Sequence, residues 1–239
     1  MTLRNQTIVV IGGSSGIGLA TARAAIAEGA QVVITGRDRE RLDVAAADLG
    51  SEATPVALDA SDETGTQQMF ERLERINHLF VNAGSVVPDA KLTLPTADLR
   101  RAMDVRFWGA VYAVKYARPK MNDGSSIVFM SGTSAVRPIP GAAIGSASCG
   151  AVETLARALA VDLAPIRVNA IRPGLIDTPL IDRFFGERKT QLVHSYAARI
   201  PVKRIGEPED VADAVLFLMK NRYVNGITLA VDGGAVLVQ

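Results

Sequence analysis

One cysteine, Cys149, and two histidines, His78 and His194, are the only soft metal ligands in a chain of 239 residues. A lone thiol cannot close an intrachain disulfide, and two scattered imidazoles make no clustered soft-ligand metal site. Charge of either sign is not in excess. Against 26 lysines and arginines stand 25 aspartates and glutamates, a net +1 that gives no electrostatic ground for a nucleic-acid partner. No uninterrupted apolar run is long enough to span a bilayer, and the first residues lead into a strand without the basic, apolar and cleavage-site order of an export signal. Linkers and internal repeats are missing, and the only biased tracts are alanine-rich helical ones. These absences predict a single cytoplasmic domain without metal, membrane or nucleic acid. A composition 48% hydrophobic and 21% charged fits that class, and the length suits one α/β domain with a large core.

What is present is concentrated in residues 8–37. Residues 8–11, Ile-Val-Val-Ile, are a β-branched apolar run of the kind buried on both faces of a parallel sheet. A glycine-rich turn follows at Gly12, Gly16 and Gly18, where missing side chains let a pyrophosphate approach backbone N–H groups at a helix amino terminus. Ser14 and Ser15 add hydroxyl donors, and Ile17 lies within the turn. An alanine-rich helix then runs to Gly29, and a second strand covers about 32–35. Strand, glycine turn, helix and strand within some thirty residues point to a dinucleotide site, although an ordinary tight turn would show the same glycines. Arg37 stands just after the second strand, where an acid would hold a ribose 2′-hydroxyl. A guanidinium there suits a 2′-phosphate, so NADP(H) is preferred and NAD(H) remains possible; with Asp38 and Arg39 beside it, Arg37 also reads as part of a solvated charge cluster.

Strand and helix keep alternating along the chain. Helices are predicted over 38–49, 63–75, 97–118, 146–163 and 209–219, and strands over 53–58, 78–81, 126–130, 166–171 and 226–231. The class is α/β, a doubly wound, mostly parallel sheet of seven strands flanked by helices. Ligands bind at the carboxyl edge of such sheets, which is where Asn82-Ala83-Gly84 falls. Pro173-Gly174 opens an excursion whose residues 176–203 are the expected substrate lid.

These signposts resemble the short-chain dehydrogenase/reductase family over essentially the whole chain. The segment Gly-Gly-Ser-Ser-Gly-Ile-Gly at 12–18 is similar to its cofactor loop, Asp59 to its adenine-facing acid, Asn82-Ala83-Gly84 to its central turn, and Pro173, Gly174 and Thr178 to its nicotinamide-side segment. Ile11 departs from the usual threonine. The resemblance implies an oxidoreductase acting on a small carbonyl or alcohol, assembled as a homodimer or homotetramer through helices 97–118 and 146–163 and the last strand.

The family's chemistry rests on an asparagine, a serine, a tyrosine and a lysine. Tyrosine exchanges a proton with the substrate oxygen, and the ammonium beside it lowers its pKa. Local context places Arg106, Gly132, Gly145 and Cys149 at those four positions, with Ser131 one residue before the serine position. The catalytic residues are therefore unassigned, and the expected activity is impaired or altered. A cofactor-binding sensor, or the inactive partner of a hetero-oligomer, is the alternative. Tyr116 and Lys120 repeat the four-residue spacing but flank Pro119 at a helix end, and are read as surface residues. Tyr112, Tyr196 and Tyr223 fall outside the segment expected at the nicotinamide. Cys149 is read as a small core residue rather than a nucleophile, and His194 as a solvent-facing residue rather than an acid or base.

Overall fold

A computed structural model describes residues 2–84 and 92–238. The chain alternates β1 (Thr7–Ile11), α1 (Gly16–Ala27), β2 (Gln31–Gly36), α2 (Arg39–Leu49), β3 (Ala53–Ala57), α3 (Glu63–Glu71) and β4 (Ile76–Val81). Then follow α4 (Thr96–Met103), α5 (Gly109–Ala117), β5 (Met121–Met130), α6 (Ala143–Asp162) and β6 (Arg167–Pro173). The last part holds α7 (Pro179–Phe185), α8 (Lys189–Arg199), α9 (Pro208–Lys220), β7 (Thr228–Val231) and α10 (Ala235–Val238). The seven strands form one parallel sheet in the order β3-β2-β1-β4-β5-β6-β7.

Side chains along each strand alternate between two apolar layers, as a pleat of period two demands. Val9, Ile11, Leu79, Val81, Ile127 and Phe129 face the layer completed by α3, α5 and α6. Ile8, Val10, Ile34, Phe80, Val128 and Met130 face the layer completed by α1, α2 and α9. Both faces being covered explains why these strands read as continuous apolar runs rather than alternating ones. Sequence order reverses between β1 and β4, and that reversal opens a crevice at their carboxyl ends. Ile11 pairs with Val81 at that edge, so the turns that begin at Gly12 and Asn82 start side by side.

Several predicted elements differ from the structure. The expected continuous helix 97–118 is α4 and α5 joined by a π-helical turn, Asp104–Trp108, where the Gly109 N–H reaches back to the Asp104 carbonyl. The wider turn lets the chain pass close to the loop after β3. A Cβ on Gly109 would lie 2.8 Å from the Ala60 carbonyl oxygen, so this contact requires glycine. Periodicity alone does not reveal one extra residue in a turn. The 63–75 helix ends at Glu71, and β5 begins at Met121 instead of 126. Within 176–203 lie α7 and α8. Lys189 ties this segment to its own start through Asp177 (2.9 Å) and Asp182 (2.7 Å).

Candidate functional site

A cleft of about 1020 Å³ runs along the carboxyl edge of the sheet at the β1/β4 reversal. Its walls come from the turn after β1, the ends of β2 to β6, the π turn, the first half of α6, and α7 with α8. Of the predicted site residues, Gly12, Ser14, Ser15, Gly16, Ile17, Arg37, Asp59, Asn82, Ala83, Gly84, Pro173, Gly174 and Thr178 all line it.

The glycine turn is held by specific bonds. Gly12 adopts a positive φ of 86° and donates its N–H to Thr35 Oγ1 (3.2 Å), while Gly13 donates to the Thr35 carbonyl (2.8 Å). Asn82 Nδ2 donates to the Gly12 carbonyl at 2.8 Å, and the Asn82 N–H donates to the Ile11 carbonyl at 2.9 Å. The turn is thus braced from β2 and β4, and Ile11 is free to bury its side chain in the core. Gly18 supports the site from beneath: an added Cβ would fall 2.0 Å from the Gly12 carbonyl oxygen and 2.8 Å from Asn82 Nδ2. The Ser15 side chain makes no capping bond to α1, so its hydroxyl and the helix amino terminus stay available to an anion.

At the end of β2 the charged cluster resolves into partners. Asp38 caps α2, accepting the Arg41 N–H at 3.0 Å, and Arg39 pairs with Asp43. Among the described residues Arg37 has only a long contact, 3.9 Å, with Asp59, and Ser14 Oγ lies against neighbouring Gly36. Burial raises the Asp59 pKa, but hydrogen bonds from Ser61 and the charges of Arg37 and Arg101 outweigh it and hold the carboxyl below its ordinary value. Arg41, absent from the predicted site, also lines the cleft here. Its position within the first turn of α2 gives no sequence signal of its own.

On the other side of the reversal, Arg106, Gly132 and Cys149 share a wall. Arg106 projects from the π turn and donates from a terminal guanidinium nitrogen to the Met130 carbonyl (2.9 Å). A Cβ on Gly132 would meet Cys149 Sγ at 3.5 Å, and the Ser134 hydroxyl donates to that sulfur at 3.6 Å. Cys149 is therefore buried, as expected, yet on the cleft wall. Gly145 occupies the first turn of α6, where an added Cβ would meet nothing within 4 Å. The Ser131 hydroxyl is directed below the wall, toward Glu153 Oε1 at 2.7 Å. Glu153 in turn binds Arg172 through both carboxylate oxygens, a buried network that the sequence did not announce.

Tyr116 donates to Glu63 on α3, away from the cleft, which agrees with its reading as outside the site. His194 is exposed. The expectation for Tyr196 is corrected: α8 brings it into the cleft wall, because the segment after β6 folds back across the sheet edge. Among the described wall residues it is the sole tyrosine, and none is lysine. No group of three or more metal-binding side chains occurs among the described residues. No helix there is long and apolar enough to cross a membrane.

A doubly wound parallel sheet with a glycine-lined crevice at its switch point is a Rossmann domain. The chain belongs to the short-chain dehydrogenase/reductase family: residues 11–236 match the family described as enoyl-(acyl carrier protein) reductase. It is similar to the short-chain dehydrogenase/reductase malC of Malbranchea aurantiaca, 30% identical with 98% of this chain and 96% of that protein covered. The structure of that reductase/Diels-Alderase superposes with a TM-score of 0.93 at 29% identity, covering 98% of each chain. The NADP-dependent (R)-specific alcohol dehydrogenase of Lentilactobacillus kefiri is 32% identical over 97% of both chains. A small-chain dehydrogenase solved in complex with NADPH superposes with a TM-score of 0.83 at 32% identity, covering 98% of this chain and 99% of the other.

Proposed function

We propose that this chain is an NADP(H)-binding oxidoreductase in which proton delivery no longer comes from α6. The cleft fits such a cofactor: Gly18 leaves room for the Gly12 carbonyl, the Ser15 hydroxyl has no intrahelical bond, and Arg37 is only loosely engaged by Asp59. Gly12, Ser15, Gly16, Ile17 and Gly18 would form the pyrophosphate cradle, and Ser14 with Arg37 would receive the 2′-phosphate. Asp59 would face the adenine, and Asn82, Ala83, Gly84, Pro173, Gly174 and Thr178 would flank the nicotinamide half. The bound cofactor supplies or accepts a hydride. An NADP-dependent relative and an NADPH-bound neighbour support this choice.

The observation that carries the altered chemistry is the wall made by Gly132, Cys149 and Arg106, which holds neither tyrosine nor lysine. A guanidinium orients and stabilises negative charge but does not exchange a proton near neutral pH. Tyr196, on the proposed 176–203 lid, is the tyrosine of the cleft wall among the described residues and would give a proton to a substrate oxygen. General acid catalysis contributes on the order of a hundredfold to ten-thousandfold, so its displacement to a lid would change rate and substrate range together.

The test is titration of the protein with NADPH and NADH, followed by a screen of carbonyl reduction. Tight NADPH binding with turnover supports the reading; binding without turnover on any carbonyl favours a cofactor-linked sensor or inactive partner; no binding refutes the cofactor assignment. Restoring the family's residues by Arg106→Asn, Gly132→Ser, Gly145→Tyr and Cys149→Lys together should raise carbonyl reduction. A Cβ added at Gly132 meets nothing closer than 3.5 Å, and one added at Gly145 meets nothing within 4 Å. A folded, cofactor-binding variant without a gain would show the four positions to be misassigned. A homodimer or homotetramer through α4, α5, α6 and β7 completes the proposal. Its support is the exposed Trp108, stacked on the half-buried Tyr112, and Val161 exposed on α6; light scattering at a monomer mass would exclude it.

A further inference from the structure

The charges lining the cleft are unevenly distributed across the switch point. Its two carboxylates, Asp38 and Asp59, follow β2 and β3, and both are paired with arginines there. The wall beyond β4 carries Arg106 and Arg137 and, among the described residues, no carboxylate. Arg137 donates to the Val236 carbonyl through Nε (3.0 Å) and a terminal nitrogen (2.7 Å), and Arg106 donates to the Met130 carbonyl. Neither forms an ion pair among the described residues. Among the described residues Arg106 Nε is buried and without a hydrogen-bond partner, and another terminal nitrogen of the same guanidinium lies over Gly84. The nearby buried acid, Glu153, is already bound by Arg172 and Ser131.

A guanidinium does not shed its proton to relieve this imbalance, so the site retains a fixed positive charge without a counter-ion among the described residues. Ile139, Leu180 and Ile181 make the adjoining wall apolar. We propose that this half of the cleft takes a substrate with an apolar body and a carboxylate, and that Arg106 holds the carboxylate. Planar paired donors match a carboxylate better than a neutral carbonyl. This inference rests on the reading that the other half of the cleft receives the dinucleotide. It assigns Arg106 to the substrate instead of to the cofactor, whose phosphates belong to the glycine turn and Arg37.

Calorimetry on the NADP⁺-saturated protein with hexanoate and hexan-1-ol tests it. Hexanoate should bind at least about tenfold tighter, the lower end for a charge-assisted pair. Arg106→Met should remove that difference and leave NADP⁺ affinity within about twofold, and Arg106→Lys should keep part of it. Equal binding of the two probes by the wild-type protein overturns the proposal, whether or not the variants fold. So does a fall in NADP⁺ affinity on Arg106→Met that matches the fall for hexanoate, since the guanidinium then serves the cofactor. Should the wild-type protein bind no dinucleotide, the cofactor reading fails, and the same hexanoate criterion applied to the unliganded protein still decides the role of Arg106.

Discussion

Mild acid should destabilise this protein through one buried side chain, His78 on β4. Its ring is buried at the amino-terminal edge of the sheet, with Nδ1 2.7 Å from Ser126 Oγ and Nε2 2.6 Å from Gln6 Oε1. An amide oxygen can only accept, so Nε2 carries the proton and Nδ1 accepts from the serine hydroxyl: the neutral ring satisfies both bonds. Burial, with a smaller contribution from the Arg167 charge, lowers its pKa from 6.5 to about 3. Because the folded value lies below the unfolded one, the stabilising effect of a neutral His78 is complete above pH 6.5 and is lost as pH falls toward 3. Each pH unit within that window costs about 1.4 kcal/mol, so from neutral pH to pH 4.5 the loss is about 2.7 kcal/mol. The measurement is urea unfolding of the wild type and His78→Gln at pH 7 and 4.5, where the difference between the proteins cancels the contribution of ordinary carboxylates. His78→Gln should lose less stability on acidification by about 2–3 kcal/mol. Parallel losses in the two proteins would show that His78 becomes protonated without penalty and would refute the reasoning.

Arg37→Ala should weaken NADPH about tenfold, a charge-assisted hydrogen bond offset by release of the long Asp59 contact, and leave NADH within about twofold; an equal loss for both cofactors would remove Arg37 from the 2′-phosphate site. Gly18→Ala should abolish dinucleotide binding, because relieving a 2.0 Å contact with the Gly12 carbonyl must break the Asn82 bond that braces the turn. Retained binding by fluorescence titration would show that the turn tolerates displacement. Tyr196→Phe should reduce the turnover number of any carbonyl reduction by about a hundredfold while sparing NADPH affinity, and an unchanged rate would exclude its phenol as the proton donor.

The fold was legible because the central strands are largely buried on both faces and therefore mostly apolar, and because most helices begin or end at a glycine, proline or capping acid. Asp38 and Asp62 cap α2 and α3 where the sequence changes from apolar run to charged helix. The glycine-lined half of the cleft was legible for a related reason: a backbone turn of this kind requires absent side chains, and absence is visible in sequence. The substrate half was less so. Arg106 could be placed by resemblance, but its neighbours are Met130 at the end of β5 and Gly84 in the turn after β4, and its approach depends on a π turn that leaves no periodic trace. Tyr196 enters from a segment whose path over the sheet edge is set by tertiary contacts, including Lys189 with Asp177 and Asp182. The same asymmetry bears on chemistry. A pyrophosphate cradle works through main-chain groups that survive many substitutions, whereas proton transfer depends on one side chain at one distance. A chain can therefore keep every glycine of such a turn while, on the alignment the family resemblance implies, Gly145 and Cys149 stand where a phenol and an ammonium would act; the proposed reaction then rests on other side chains of the cleft wall, Arg106 and Tyr196.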